Sequence, residues 1–97
     1  MPVRTFTTEE AKRIGDSLKI DWNEVNLEEF RMGLEAESDH GSSDPRTNVT
    51  NDDELTMGKI AWAHLNEFPD FYTRHAAMER EAEAYWKPRG WPKAKAD

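Results

Sequence analysis

The stretch from Met57 to Tyr72, MGKIAWAHLNEFPDFY, constrains the fold of this chain more than any other. Its apolar residues recur at the three- and four-residue spacing of one helical face. That face carries Met57, Ile60, Ala61, Leu65 and Phe68. His64 lies on the same face, and Pro69 forces a turn because proline cannot continue a helix. The stretch therefore predicts a helix with an inward imidazole, followed by another helix.

Two capping boxes predict helix starts upstream, at Thr7 with Glu10 and at Asn26 with Glu29. The second of these helices should run to about residue 40, where Gly41 ends it. The last helix should start near Asp70. Its apolar residues alternate four and three apart, which predicts a single inward stripe. That stripe consists of Phe71, His75, Met78, Ala82 and Tyr85.

These patterns predict an all-α fold, a compact bundle of about four short helices. Residues 1–86 should form one helical domain, because 97 residues leave room for one small core. We expect helices two, three and four to form that core and the first helix to cover it. Residues 41–51 predict a long loop pinned by its own polar side chains. Residues 87–97 predict an irregular basic tail with two prolines and Trp91.

Charge is distributed unevenly along the chain. The tail carries Lys87, Arg89, Lys93 and Lys95 against Asp97, a balance of +3, so the total of −7 leaves −10 on residues 1–86. An acidic body disfavours direct binding to nucleic acid, because it repels phosphate. It could instead act as a nucleic-acid mimic that inhibits a basic host protein. With no apolar span and no signal sequence, the chain is predicted to be cytoplasmic and not in a membrane.

The best candidate site combines two short motifs, each spanning one helical turn. Glu37 precedes His40 by three residues, and His64 precedes Glu67 by three residues. Two imidazoles and two carboxylates form a ligand set that suits zinc, manganese or iron. The alternative is a buried polar cluster in which the carboxylates accept hydrogen bonds from the imidazoles and tie two helices together.

No motif for catalysis accompanies these residues. The chain contains no phosphate-binding glycine loop and no arrangement typical of a serine hydrolase. The motifs match a di-iron bundle only in part, since one of the two is reversed. The sequence therefore favours a non-catalytic protein over an enzyme.

Several motifs stand out along the chain: Glu35-x-Glu37-x-Asp39-His40, then Asp44-Pro45-x-Thr47-Asn48-Val49-Thr50, then the segment from Lys59 to Tyr72, and finally Met78-Glu79. Together they resemble a family of small uncharacterised proteins found in bacteria and tailed phages. The resemblance implies no established activity. The occurrence of the family in phages implies a virion accessory protein or a modulator of a host protein, so the chain could also reside within a phage particle.

Together these observations predict a small acidic protein-interaction module. We expect Trp62, Trp86 and Trp91 to contact a protein partner, because tryptophan is enriched at interface hot spots. A divalent-metal-binding helical protein and a nucleic-acid mimic are the alternatives. The sequence leaves the oligomeric state open.

Overall fold

The computed structural model describes residues 3–93, and this range is helical with no strand. Its four α-helices are α1 (Thr8–Ser17), α2 (Leu27–Glu37), α3 (Glu54–Glu67) and α4 (Phe71–Trp86). Short 3-10 turns follow α2 at Ser38–His40 and α4 at Lys87–Arg89. The predicted all-α bundle is confirmed. Residues 1–2 of the predicted domain and residues 94–97 of the predicted tail lie outside the described residues.

The first predicted capping box is complete and the second is only half formed. At the start of α1, Glu10 N–H donates to the Thr7 hydroxyl at 3.1 Å, and Thr7 N–H donates to the Glu10 carboxylate at 2.8 Å. At the start of α2, the Asn26 side chain accepts from Glu29 N–H at 3.0 Å. The Glu29 side chain does not return to Asn26, because it reaches across to α4 instead.

The core is built mainly by α1, α2 and α3. Its largest fully buried side chains are Ile14, Phe30, Leu34, Met57 and Tyr72. The expectation that α1 only covers a core formed by the other helices is wrong, since Ala11 and Ile14 of α1 are fully buried. Tyr72 is the only buried residue of α4.

The second half of α4 is largely exposed, which corrects the prediction of one continuous inward stripe. Met78 and Tyr85 both expose 54% of their surface. No other helix in residues 3–93 covers this side of α4, so its apolar spacing continues past the point where the core ends. None of the four helices is both long enough and apolar enough to cross a bilayer.

The loop between α2 and α3 is pinned by its own polar groups, as predicted. Ser42 N–H donates to the Asp52 carboxylate at 3.0 Å, and the Ser42 hydroxyl donates to the same carboxylate. Asn51 N–H donates to the Asn48 side chain at 2.8 Å. Gly41 ends the preceding turn in an extended conformation, and a side chain there would collide with Asp52.

Candidate functional site

Tyr72 occupies the junction of α2, α3 and α4. Only 2% of its surface is exposed. Its ring packs directly against the backbone of α2 at Gly33, where an added Cβ atom would lie 2.5 Å from Tyr72 Cε2 and 2.9 Å from Ala61 Cβ. Close approach of the three helices therefore depends on the absence of a side chain at Gly33.

The Tyr72 hydroxyl joins two of the predicted site residues. It donates to Glu37 Oε2 at 2.8 Å and lies 2.8 Å from His64 Nδ1. His64 Nδ1 and Glu37 Oε2 are 3.5 Å apart. We call these three residues the Tyr72 cluster: Glu37 of α2, His64 of α3 and Tyr72 of α4. Their side chains connect the three helices.

The geometry of the Tyr72 cluster determines which atoms carry the shared hydrogens. A phenol carries a single proton, so a hydroxyl that donates to Glu37 must accept from His64. This assigns the imidazole tautomer with hydrogen on Nδ1. Burial raises the pKa of Tyr72 well above its usual range, and the nearby Glu37 carboxylate raises this pKa further. Tyr72 therefore stays a neutral donor across the physiological range.

Stacking fixes the plane of the His64 ring. The rings of His64 and Phe71 are parallel within 2°, with centroids 4.3 Å apart. Tyr72 meets the same imidazole edge to face at 5.9 Å. The side chain of His64 is 34% exposed, so this residue connects the buried cluster with the surface.

The other two predicted ligands lie at the margin of the cluster or outside it. His40 Nε2 is 3.7 Å from Glu37 Oε1, and the His40 side chain is 55% exposed. Glu67 is exposed at the end of α3 and makes no hydrogen bond or ion pair with the cluster. Within residues 3–93 no group of three or more His, Cys, Asp or Glu is arranged to hold a metal ion. Binding of zinc, manganese or iron stays an untested alternative.

Tyr72 itself was not predicted as a site residue. It lies about 100° around α4 from Phe71, outside the stripe that the apolar spacing marks. The signals at Tyr72 were its position immediately after a helix start and its place at the end of the Lys59–Tyr72 segment, and neither identifies a partner. Sequence reasoning therefore found Glu37 and His64 but missed the group that bridges them.

Glu29 of α2 is a second buried acidic residue that the sequence did not single out for this role. Its Oε1 atom accepts from the backbone N–H of Tyr72 at 3.0 Å and of Thr73 at 3.2 Å. The Thr73 hydroxyl donates to Oε2. Asp70, which was predicted to start α4, makes no capping hydrogen bond and pairs with Arg74 at 2.9 Å instead. The last helix thus begins directly after Asp70, as predicted, although a side chain from α2 and not that of Asp70 accepts its free N–H groups.

These contacts satisfy the polar groups that the fold buries. In the described part of the chain, no buried side-chain nitrogen or oxygen lacks a hydrogen-bond partner. The Tyr72 cluster and Glu29 hold the start of α4 against α2 at two points. This arrangement matches the polar-cluster alternative only in part. Tyr72 takes the place expected for Glu67, and His40 Nε2 lies 3.7 Å from Glu37 Oε1, beyond hydrogen-bond distance.

An open groove continues along the face of α4 that carries Tyr72, between the end of α2 and the residues that follow α4. Its volume is about 790 Å³. We call it the C-terminal groove, and its lining residues are Asp39, Glu79, Ala82, Glu83, Trp86, Lys87, Trp91 and Pro92. A smaller cavity of about 160 Å³ adjoins it, shares Asp39 and Glu79, and reaches the Tyr72 ring.

Two of the three predicted contact tryptophans line this groove. Trp86 is 47% exposed and Trp91 is 46% exposed, and their rings meet edge to face at 6.3 Å. The ammonium group of Lys93 lies over the Trp91 ring at 4.9 Å. Trp62 is partly buried against the core and does not line the groove.

Comparison with known families gives a match to one described as "Protein of unknown function (DUF5661)". The match covers residues 11–81, which is 71 of the 97 residues in the chain. The comparisons with curated proteins and with solved structures give no significant match. The matched range runs from α1 to the middle of α4 and contains the whole Tyr72 cluster. The chain therefore belongs to the DUF5661 family of proteins of unknown function.

Proposed function

We propose that this protein is a small acidic interaction module that binds a protein partner in the C-terminal groove. The observation that carries the proposal is the pair of half-exposed tryptophans, Trp86 and Trp91, at the end of an open apolar groove. Large aromatic side chains at the wall of a pocket are typical anchors of protein interfaces. The proposed function is non-catalytic, since the sequence carries no motif typical of a catalytic site.

Charge defines the class of partner. Three carboxylates line the groove, from Asp39, Glu79 and Glu83, whereas Lys87 is the one cation among its lining residues in the described chain. We therefore expect a partner segment with a large apolar side chain flanked by lysine or arginine. Complementary charge would speed the encounter and favour basic over acidic segments.

The Tyr72 cluster supports this proposal by fixing the groove wall. One wall is α4, which is held against α2 through Glu29 and the cluster. The opposite wall includes Asp39 at the end of α2. A rigid wall lowers the entropy that binding must overcome. Roles as an accessory protein in a phage particle or as a modulator of a host protein, which the family resemblance implies, belong to the same proposal.

The experiment uses two labelled helical peptides that share an apolar face and differ only in lysine or glutamate flanks. Fluorescence anisotropy should show the basic peptide binding at least about tenfold more tightly than the acidic peptide. Trp91→Ala should weaken binding by about tenfold or more, as for a hot-spot residue, without lowering the melting temperature. Loss of stability in Trp91→Ala would instead place Trp91 in a structural role.

Two charge reversals on one helix provide the matched control. Glu83 lines the groove, whereas Glu81 is exposed on α4 and does not. Glu83→Lys should weaken binding of the basic peptide, and Glu81→Lys should leave it nearly unchanged. Equal effects would indicate diffuse attraction to an acidic surface. That result, or no saturable binding of either peptide, would overturn the proposed groove.

A further inference from the structure

A tight turn at Gly90 joins the two tryptophans that line the C-terminal groove. Gly90 adopts the left-handed conformation, with φ of 88° and ψ of 15°. Its N–H donates to the Lys87 carbonyl at 3.2 Å, and Trp91 N–H donates to the Trp86 carbonyl at 3.1 Å. These are the two hydrogen bonds of a Schellman motif, in which a left-handed residue ends a helix. The turn therefore reverses the chain and returns Trp91 to Trp86.

The Schellman motif also accounts for the contact between the two tryptophan rings. In this motif the residue after the left-handed position packs against the residue five positions earlier. Here these residues are Trp91 and Trp86, whose ring centroids are 6.3 Å apart with the ring planes at 78°. Both side chains stay nearly half exposed in this contact, so a partner can reach them. Because the backbone hydrogen bonds and the ring contact all lie within residues 86–91, the angle between the rings depends on the conformation of Gly90.

Gly90 requires glycine for its backbone conformation and not for lack of space. An added Cβ atom at Gly90 would meet no heavy atom within 4 Å, whereas one at Gly33 or Gly41 would collide with a neighbouring side chain. The left-handed conformation is unfavourable for L-residues, by roughly five- to thirtyfold in population. A side chain at Gly90 would therefore disfavour the turn without a steric clash in the groove.

We propose that Gly90 is the positioning residue of the C-terminal groove, because its left-handed conformation sets the angle at which Trp86 and Trp91 meet a partner. The inference rests on the proposed function, since both concern the same groove. Trp86 and Lys87 line the groove before the turn, and Trp91 and Pro92 line it after the turn. A different conformation at Gly90 would move the second pair relative to the first and would separate the two rings.

Two proteins that differ only in the hand of one residue test the proposal. Gly90→Ala and Gly90→D-Ala, made by total chemical synthesis, add the same methyl group, but only the D-residue is unstrained at positive φ. Two tryptophans in contact give a coupled band in far-ultraviolet circular dichroism, and Trp91→Ala identifies this band because it removes one ring. The band should persist in Gly90→D-Ala and should fall by about half or more in Gly90→Ala.

Binding of the basic peptide provides the second readout. Gly90→Ala should raise the Kd of this peptide by about threefold or more, because only molecules with the turn formed present both rings together. Gly90→D-Ala should keep the wild-type Kd. Both variants should keep the wild-type melting temperature, because Gly90 is exposed and the buried core residues end at Tyr72.

The two readouts separate this inference from the function on which it rests. If the basic peptide binds wild type, equal Kd values for Gly90→Ala and Gly90→D-Ala would overturn the positioning role and leave the proposed function intact. A wild-type band in Gly90→Ala would overturn the positioning role whether or not a peptide binds. If the basic peptide does not bind wild type, the proposed function fails, and the role of Gly90 in binding fails with it.

Discussion

Glu29 on α2 caps the helix that begins at Phe71, by accepting the backbone N–H of Tyr72 at 3.0 Å. The same oxygen accepts Thr73 N–H at 3.2 Å. Residues at the start of a helix have free N–H groups that need acceptors, and here a distant helix provides them. One carboxylate therefore accepts hydrogen bonds from the free N–H groups at the start of α4, and it also attaches α4 to α2.

Glu29→Ala should destabilise the protein by about 2 kcal/mol or more, because it leaves two N–H groups without their charged acceptor. Urea unfolding followed by circular dichroism measures the loss. Glu28→Ala is the matched control, since Glu28 is the neighbouring residue and its side chain is 58% exposed in an ion pair with Arg31. Glu28→Ala should cost less than about 1 kcal/mol. Equal losses in the two variants would contradict the capping role of Glu29.

Tyr72→Phe should cost about 2 kcal/mol although it keeps the ring. The variant removes the hydroxyl that bridges Glu37 and His64, and it leaves a buried carboxylate without its shortest hydrogen bond. Tyr85→Phe is the control, because Tyr85 is 54% exposed and its hydroxyl can bond to water. The free energy of unfolding should therefore fall clearly more in Tyr72→Phe than in Tyr85→Phe. A Tyr72→Phe protein as stable as wild type would show that the cluster contributes nothing to stability.

The raised pKa of Tyr72 predicts a loss of stability in alkaline solution. In the unfolded chain the phenol has a pKa of about 10, whereas burial and the Glu37 charge hold it higher in the folded protein. The folded state therefore keeps this proton when the unfolded state has lost it. The contribution of Tyr72 to stability is complete below about pH 10 and falls above it, by up to about 1.4 kcal/mol per pH unit.

Unfolding free energies measured between about pH 9 and about pH 11.5 test this sign. Above about pH 10, the free energy of unfolding should fall more steeply with pH in wild type than in Tyr72→Phe. The two slopes should differ by the value for one proton, up to about 1.4 kcal/mol per pH unit. Other groups that titrate in this range are common to both proteins and cancel in the comparison. Parallel curves for the two proteins would show that the pKa of Tyr72 is the same in the folded and unfolded states.

Metal binding is tested by elemental analysis of the untagged protein. The Tyr72 hydroxyl already donates to Glu37 Oε2, and Glu67 makes no hydrogen bond or ion pair with the cluster in the described residues. We therefore expect less than about a tenth of an equivalent of zinc, manganese or iron. A chelator should likewise leave the melting temperature unchanged. About one equivalent of metal that disappears in His64→Ala and in His40→Ala would reverse this expectation. Glu67→Ala would then show whether Glu67 is a ligand.

The sequence by itself determined the helices and most of their ends. Thr7 with Glu10, Asn26 and Asp53 cap α1, α2 and α3, because a cap is a bond between residues only three positions apart. Pro69 separates α3 from α4 for an equally local reason. The inward faces of α2 and α3 followed from apolar spacing, and Glu37 and His64 were found because they lie on or next to those faces.

Only the tertiary structure decided how the helices meet and where their contacts end. Glu29 is 43 residues from Tyr72, and Glu37 is 35 residues from it, so no local pattern could pair them. The predicted inward stripe of α4, from Phe71 to Tyr85, has the spacing of a buried face, yet Met78 and Tyr85 are exposed because the bundle ends before they do. Periodicity states which residues share a face of a helix. The length and position of neighbouring helices determine whether that face is covered, and those distances exist only in the folded chain.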